Sequence, residues 1–507
     1  MTGQDALQAV RRSVEAFADE YVRSRQYRPR LPKQSKIVHD ALWGTIRLNP
    51  WEVALLDLPL LQRLRQIRQT SLACLVFPGC THSRFEHTLG VILQTQKLVD
   101  SVNAQYQPPG TAPFDHHTIH DLRLAALFHD VGHGCFSHVS ENVYQGCTDM
   151  AAVIAQEGPY PLCHAHEVLA SLLVESNSVR EYLEELSAQY DVEFMPDRIA
   201  RWILGNAEVG QQDRLYCAQV INGPFDADKL DYIFRDAHYS GLPLGMDLER
   251  LWSSCKVERD SARKTRILTL HQSSATPLEQ ILFNKINLFT VVYQHPKVRA
   301  AESMFQGVIE YIRANGARRM CGRKLESATD YLWMTDDRFF GEALRRRPDN
   351  PLHGMIHDIL YRRLFVRALT ISNDTVQGPP SAYQQLRQLN QSDASAYDER
   401  RQLAREIWEE ADRPHSSHHI WLDLPADPPV READKIFVRT ASGGLTKLTF
   451  PLNYWASLYA THKWHGHVFC PPDCQQDVYD ASKVVLRRRF GIEFKKSAGE
   501  SSHVERP

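Results

Sequence analysis

The stretch LRLAALFHDVGHGCFSH, Leu122 to His138, decides how the chain is read. Leu122, Leu124, Ala125, Ala126, Leu127 and Phe128 make an almost wholly apolar approach, which predicts a buried helix. At its end stand His129 and Asp130, followed closely by His133 and His138. Burying an unpaired carboxylate among imidazoles is costly. A divalent metal removes that penalty, because imidazole nitrogen and carboxylate oxygen are both good ligands for first-row divalent ions. A lone His-Asp pair at a helix end is ordinarily a cap or a hydrogen-bonded pair, so its companions elsewhere in the chain carry the argument.

Upstream, FPGCTHSRFEHTLGVILQTQKLVD runs from Phe77 to Asp100. Ser83 with Glu86 three residues later fits a capping box opening a helix. Arg84 and His87 then share a face in its first turn, and His87 is a candidate first ligand. Downstream, His166 and Glu167 begin another apolar helix in CHAHEVLASLLVES. The second concentration of chemistry is FDADKLDYIFRDAHYSG, Phe225 to Gly241. On a helix Asp228 and Tyr232 are four apart, and Lys229, Tyr232 and Asp236 follow an i, i+3, i+7 stripe. Taken alone, that segment also reads as a salt-bridged surface helix. Residues 277–295 form an apolar helix stopped by Pro296, with Lys285 and Tyr293 on nearly one side.

The totals frame these motifs. A chain of 507 residues supports two or three lobes. Hydrophobic content of 43% and charged content of 24% are those of a globular protein. The formal net charge of -2, from 59 basic and 61 acidic residues, gives no global pull toward nucleic acid or an anionic membrane. No apolar run approaches bilayer-spanning length, and the N-terminus lacks a secretory h-region. The ten scattered cysteines fit a reduced compartment, so the expected location is the cytoplasm. Cys470 and Cys474 form one C-x3-C, for which His465 and His467 are the candidate partners if it holds zinc.

The expected organisation is a polar, amphipathic N-terminal arm over residues 1–35, a helical domain over 36–370 and a polar connecting segment over 371–418. A small α+β lobe over 419–494 and a disordered tail over 495–507 complete it. Residues 36–48 alternate as a short hairpin around Trp43-Gly44. The arginines Arg63, Arg65 and Arg68 read either as a solvated face or as a phosphate-facing one. IWLDLP, KIFVRT and LTKLTF are the strand-like runs of the C-terminal lobe.

The order His87, His129-Asp130, Asp228 resembles the H…HD…D metal pattern of the HD phosphohydrolase superfamily. The flanking phrases KIVHDALWGTI, DLPLLQRLRQIRQ, VFPGCTHSRFEHTLGV, HDVGHGCFSH, AHEVLAS and DADKLDYIFRDAHYSG resemble its dNTP triphosphohydrolase branch, in which a SAM domain accompanies the HD domain. The likeness runs from about Lys36 to Tyr293, and too few residues precede Lys36 for a SAM domain. The resemblance implies a mainly α fold with a helical HD core. It implies a divalent metal (iron, manganese or zinc) on His87, His129, Asp130 and Asp228, with magnesium on the triphosphate. It implies hydrolysis of a dNTP to deoxynucleoside and inorganic triphosphate. His166 matches the general acid, and His133 and His138 match residues that contact the phosphates and the attacking water. Glu141 stands where the family has an aspartate supporting the catalytic histidine. Arg84, Lys229 and Tyr232 match triphosphate contacts, Gln69 and Asp236 match those to the 3′-hydroxyl, and Tyr293 matches the residue under the sugar. Lys285 replaces an arginine and Phe289 a histidine. Lys36, Asp57, Gln62 and Arg65 match an activator site for GTP or a dNTP between subunits of a homo-oligomer, with Arg318, Arg319, Lys324 and Lys447 as candidates to complete it. Those four residues equally suit an ordinary salt-bridge network.

Two other readings stay open at the level of sequence. One keeps the HD chemistry but takes a nucleoside monophosphate, a cyclic nucleotide or a guanosine alarmone as substrate. The other is a nucleotide-sensing or nucleic-acid-binding protein with vestigial hydrolysis, against which the near-neutral charge weighs. The role implied by the leading reading is dNTP pool control or defence against phage.

Overall fold

The apolar run Leu122–Phe128 is the last half of a helix and is buried on every side, while His116 and His117 in the first turn are exposed. The computed structural model describes residues 2–498 outside the short segments 24–29, 208–209, 211, 246, 272–274, 316–318, 348, 391–393, 428–435, 440–443, 448–457, 459–461 and 496–497. Of the 495–507 tail, residues 499–507 lie outside the described residues.

The chain opens with α1 (Gly3–Val22), followed by the antiparallel hairpin β1 (Lys36–Asp40) and β2 (Gly44–Leu48). The short helices α2 (Pro50–Leu56) and α3 (Pro59–Gln62) lead into α4 (Arg84–Asn103), which the Ser83–Glu86 capping box starts as the sequence indicates. Next come α5 (His116–Phe128), α6 (His138–Tyr144), α7 (Thr148–Ile154), α8 (Ala165–Glu175), α9 (Asn177–Tyr190), α10 (Pro196–Ile203) and α11 (Leu215–Ile221). Then α12 (Ala227–Ser240) and α13 (Leu248–Ser254) lead to the hairpin β3 (Cys255–Asp260) and β4 (Thr265–His271). The helical body closes with α14 (Ala275–Leu288), one π turn over Phe289–Tyr293, α15 (Pro296–Ala314), α16 (Asp336–Arg345) and α17 (Pro351–Leu360). The protein is mainly α, with a smaller α+β region at its C-terminal end.

α1 is not a peripheral arm. Val10, Val14, Phe17 and Val22 recur at helical spacing and are buried in the main core. Phe17 meets Trp333 edge to face at 5.0 Å, and Arg11 reaches Glu175 of α8 at 2.7 Å. The amphipathic pattern is there in the sequence; what it lacks is any mark of which surface the apolar stripe meets.

The segment 371–418 is likewise not a plain connector. It carries the two-residue strand β6 (Val376–Gln377), α18 (Pro380–Gln388) and α19 (Ala394–Glu410). Leu386, Leu403, Ala404 and Ile407 are core residues of the C-terminal lobe. That lobe is built on β5 (Val366–Ile371), β10 (Gly466–Cys470) and β7 (Trp421–Asp423), in that spatial order, and on the C-terminal helix Gln475–Phe490. The strand β11 (Glu493–Phe494) returns to pair with β6.

Two of the expected C-terminal strands go elsewhere. β8 (Phe437–Arg439) and β9 (Leu445–Lys447) extend the β3–β4 hairpin of the helical body, with Leu270 opposite Val438 in parallel register. A three-residue strand has too little alternation to indicate its neighbour, and β3–β4 itself is absent from the sequence reading. No helix of the described residues is long and apolar enough to cross a membrane.

Candidate active site

α5 stops at Phe128, and the backbone turns through His129 and Asp130 inside the core. Arg63 fixes that turn. It is buried and donates to the carbonyls of Val131 at 2.6 Å and His133 at 2.8 Å. Burial lowers its pKa to about 10, so it stays charged at neutral pH. The three arginines read together in the sequence therefore separate. Arg63 is structural. Arg65 lies 3.6 Å over the Phe85 ring, and Arg68 sits 3.7 Å from Asp336. Gly132 makes room for α8: a Cβ there would stand 2.0 Å from the carbonyl oxygen of His166.

The four sequence-derived ligand candidates meet at one point. His87 Nε2 lies 3.3 Å from His129 Nε2, 3.0 Å from Asp228 Oδ1 and 3.7 Å from Asp130 Oδ2. His129 Nε2 lies 3.4 Å from Asp130 Oδ1 and 4.0 Å from Asp228 Oδ1. The outer nitrogens are both used. His87 Nδ1 donates to Asp231 and His129 Nδ1 to the Ala126 carbonyl, each at 2.7 Å. Those bonds orient the rings and leave the two Nε2 atoms facing one another beside two carboxylates. A cation resolves that arrangement, and the nitrogen and oxygen donor set suits a first-row divalent ion. Burial disfavours charge on His87, yet Asp228 and Asp231 outweigh it and raise its pKa to about 10. Burial pushes the other way on Asp130 too, where Arg84 and the histidines hold the carboxyl well below its usual range.

Behind His87 the support is dense. Asp231 accepts from His87, Trp43 and Arg235, and Arg235 continues to Asp40 at 2.9 Å. Gly90, one turn after His87, lets α12 approach α4: a Cβ there would fall 1.8 Å from Asp231 Oδ1. The sequence reading passes over Asp231. Its spacing of three from Asp228 is the signal that was available, since both belong to one α12 face.

Beside the cluster opens a cavity of about 980 Å³. It is lined by His129, Asp130 and Asp228, by Gln69, Arg84, Lys229, Tyr232, Asp236, Lys285 and Tyr293, and by His138, Glu141 and His166. His87 and His133 stand behind that wall rather than in it. Arg84 is fully buried. It donates from Nη1 to Asp130 Oδ2 at 2.6 Å and from Nε to Ser137 Oγ at 2.8 Å, while Nη2 meets no acceptor among the described residues. Ser137 holds this position at φ 51°, in the left-handed region that non-glycine residues seldom enter. The turn is braced by Asp336, which accepts the backbone N–H groups of Phe136 at 2.7 Å and Arg68 at 3.0 Å. Burial raises Asp336 to about 6 in spite of those bonds.

At the far side Lys229 bonds Asp226 at 2.7 Å and the Gly223 carbonyl at 2.9 Å. Asp236 accepts from Tyr293 and lies 2.7 Å from His82 Nε2. Burial and the neighbouring Asp236 hold the Tyr293 phenol protonated far above its usual range. On the opposite wall Glu141 Oε1 accepts from His166 Nδ1 at 2.7 Å, so the extra methylene relative to aspartate still reaches the histidine. His133 stacks on His166 with ring centroids 4.0 Å apart, and burial keeps it neutral. Arg299, Glu302, Ala426 and Asp427 also line the cavity, which the sequence reading does not anticipate.

The residues matched to an activator site divide. Gln62 Oε1 accepts from Arg65 Nε at 2.8 Å, which joins those two. Lys36 lies on β1 and is exposed, and Asp57 caps the end of α2. Arg319 and Lys324 line a separate shallow cavity beside Asp149 and Asp330, Lys447 belongs to β9, and Arg318 lies outside the described residues.

The HD domain family matches residues 84–235, and the HD associated region matches residues 246–489. An HD domain followed by an HD associated region is consistent with the HD phosphohydrolase superfamily. Within it, the similarity is to the SAMHD1-like branch. The chain is 26% identical over 355 residues to human deoxynucleoside triphosphate triphosphohydrolase SAMHD1, covering 65% of this chain and 54% of that protein. It is 25% identical over 370 residues to the SAMHD1 homolog of Dictyostelium discoideum, covering 71% and 65%. An uncharacterized protein of Methanocaldococcus jannaschii is 28% identical over 276 residues, covering 54% and 49%. The chain spans about half the length of the curated relatives it matches.

Proposed function

We propose that the chain is a metal-dependent phosphohydrolase that converts a dNTP and water to a deoxynucleoside and inorganic triphosphate. The observation that carries this reading is Arg84. One guanidinium nitrogen is bound to Asp130 of the metal cluster, and another, buried, has no acceptor among the described residues. A phosphate oxygen seated there satisfies that donor and lies next to the ligand cluster. Lys229 and Lys285, on the same cavity, supply further positive charge for a triphosphate carrying magnesium.

His87, His129, Asp130 and Asp228 would hold the divalent ion (iron, manganese or zinc), whose Lewis acidity makes water nucleophilic near neutral pH. The chain's own groups then divide the remaining work. Arg84 orients the phosphate that is attacked. His166, raised to about 9 by Glu141 against the effect of burial, carries a proton at neutral pH and delivers it to the departing 5′-oxygen. His133 stays neutral behind it, and His138, tied to Glu141 at 2.8 Å, faces the phosphates. Tyr232, Gln69 and Asp236 position the sugar and phosphates, and Tyr293 closes the space in which a 2′-hydroxyl would sit. Phe289, in place of a histidine, makes the adjoining wall apolar.

The regulatory part of the proposal is an activating nucleotide, GTP or a dNTP, at Lys36, Asp57, Gln62 and Arg65 between subunits of a homo-oligomer. The Arg65 guanidinium, 3.6 Å over the Phe85 ring, supports it, because a guanidinium held against a ring has less freedom to lose on meeting a base edge. The biological role proposed is dNTP pool control or defence against phage.

The test is incubation of metal-loaded protein with each dNTP, singly and in mixtures, with detection of deoxynucleoside and triphosphate. Asp130→Ala is the control. Triphosphate released by the wild type and lost in the control supports the reaction, and activity confined to mixtures supports the activator site. Turnover only of a monophosphate, a cyclic nucleotide or an alarmone in the same panel reassigns the substrate. No turnover of any nucleotide overturns the enzyme reading.

A further inference from the structure

A second group of metal-capable donors lies in the C-terminal lobe, apart from the cavity. After α19 the chain turns back on itself through Asp412, Arg413 and His415, all in the left-handed region at φ 61°, 57° and 55°. The turn brings His415 Nε2 to 2.9 and 2.8 Å from the two carboxylate oxygens of Asp473. The Cys474 sulfur lies within 4.8 Å of the other two donor atoms. Cys470, at the end of β10, places its thiol against that of Cys474. The histidines nearest in sequence are not the partners. His465 Nδ1 is taken by the Lys463 carbonyl at 2.8 Å, and His467 is buried within β10, opposite Asp423.

We propose that His415, Asp473 and Cys474 form a binding site for a zinc-class divalent ion, with solvent as the fourth donor. The donor chemistry selects the ion: imidazole and thiolate suit zinc, whereas magnesium and calcium take oxygen ligands. Bonds of about 2.0–2.3 Å to a tetrahedral ion set its ligands roughly 3.3–3.8 Å apart, so His415 and Asp473, now 2.8 Å apart, would separate slightly, with the Cys474 sulfur within 4.8 Å of both. On binding, His415 coordinates through Nε2 with its proton on Nδ1, the hydrogen bond to Asp473 gives way to two metal bonds, and Cys474 releases its thiol proton to solvent. The ion would fasten the turn after α19 to the start of the C-terminal helix. That is a structural role, independent of the proposed hydrolysis.

Cobalt substitution tests this on the full-length protein. The cluster at His87, His129, Asp130 and Asp228 offers nitrogen and oxygen only, so a thiolate-to-cobalt charge-transfer band in the near ultraviolet reports the second site alone. The band is expected in the wild type, bleached by zinc, lost in Cys474→Ser, weakened in His415→Ala and retained in Cys163→Ser. Zinc content by mass spectrometry should fall by one equivalent per chain in Cys474→Ser. A wild-type spectrum without a sulfur band, or a band that survives Cys474→Ser, overturns the site. The wild-type spectrum decides the matter even if a variant fails to fold.

Discussion

Glu141 is shared by two histidines: Oε1 accepts from Nδ1 of His166 at 2.7 Å and Oε2 from Nδ1 of His138 at 2.8 Å. Oε1 also accepts the backbone N–H of His166 at 3.1 Å, so ring and backbone are located by one oxygen. His166→Ala is expected to lower kcat by about 10²–10⁴-fold, the usual contribution of a positioned general acid. A variant turning over at the wild-type rate would remove His166 from the mechanism.

Replacing the carboxylate tests the charge rather than the ring. With Glu141 present, His166 titrates at about 9. Glu141→Gln leaves burial to act alone, and burial lowers an imidazole pKa. The alkaline limb of the rate–pH profile should move from about 9 toward or below neutrality. The same pair links stability to pH. A histidine raised in the folded state contributes stability in full below its ordinary value of 6.5 and loses it as pH rises through about 9. Denaturant melts of wild type and Glu141→Gln across that interval should converge at high pH; parallel curves would sink the assignment.

Asp231 touches His87, not the cluster itself, and its effect should be on metal affinity. Asp231→Asn is expected to weaken binding by about 10–100-fold, as with other carboxylates behind ligating histidines. Competition against a chromophoric chelator reads this directly. Affinity equal to wild type would show that His87 needs no such partner.

The α4–α12 contact makes a stability prediction. Gly90→Ala sets a methyl carbon 1.8 Å from Asp231 Oδ1 within two buried helices. Overpacking of this kind costs about 1–3 kcal/mol or more. Urea unfolding should show the loss, accompanied by lower metal content because Asp231 must move. An unchanged midpoint would mean that the two helices separate freely there.

In the proposed reaction Tyr293, bonded to Asp236, is the residue that closes the sugar side. Tyr293→Ala should narrow the kcat/KM preference for dNTPs over ribonucleotides by on the order of ten-fold. Tyr293→Phe, which keeps the ring, should lose far less. Equal discrimination in both variants would place the selection elsewhere.

What could be read in advance follows a physical division. His87 and Asp228 lie on helices, and His129 and Asp130 directly follow one, whose apolar periodicity marks the buried face, and capping fixes the start of α4 at Ser83. Chemistry tied to such faces was legible. Asp231 was missed because it bonds His87 from behind, and its one local signal, the spacing of three from Asp228, does not say which side chain it meets. Arg299, Glu302 and Asp427 reach the cavity through tertiary contacts between distant segments, which no local pattern encodes. The same reason explains α1: its periodicity predicts a helix, but the partners of Phe17 lie in Tyr21 and far off in Trp333. β8 shows the limit most clearly, for a run of three residues carries too few alternations to choose a sheet.

The pairing of β4 with β8 means that the helical body does not finish its own sheet. During synthesis the β3–β4 hairpin must wait, with one margin open, until residues 437–439 leave the ribosome. A chain cut before Ile436 would keep Leu270 and His271 with unpaired backbone donors and acceptors along that margin, a template for association with other chains. Truncation aimed at isolating the body should therefore yield aggregates, whereas the intact chain caps the margin with its own later residues.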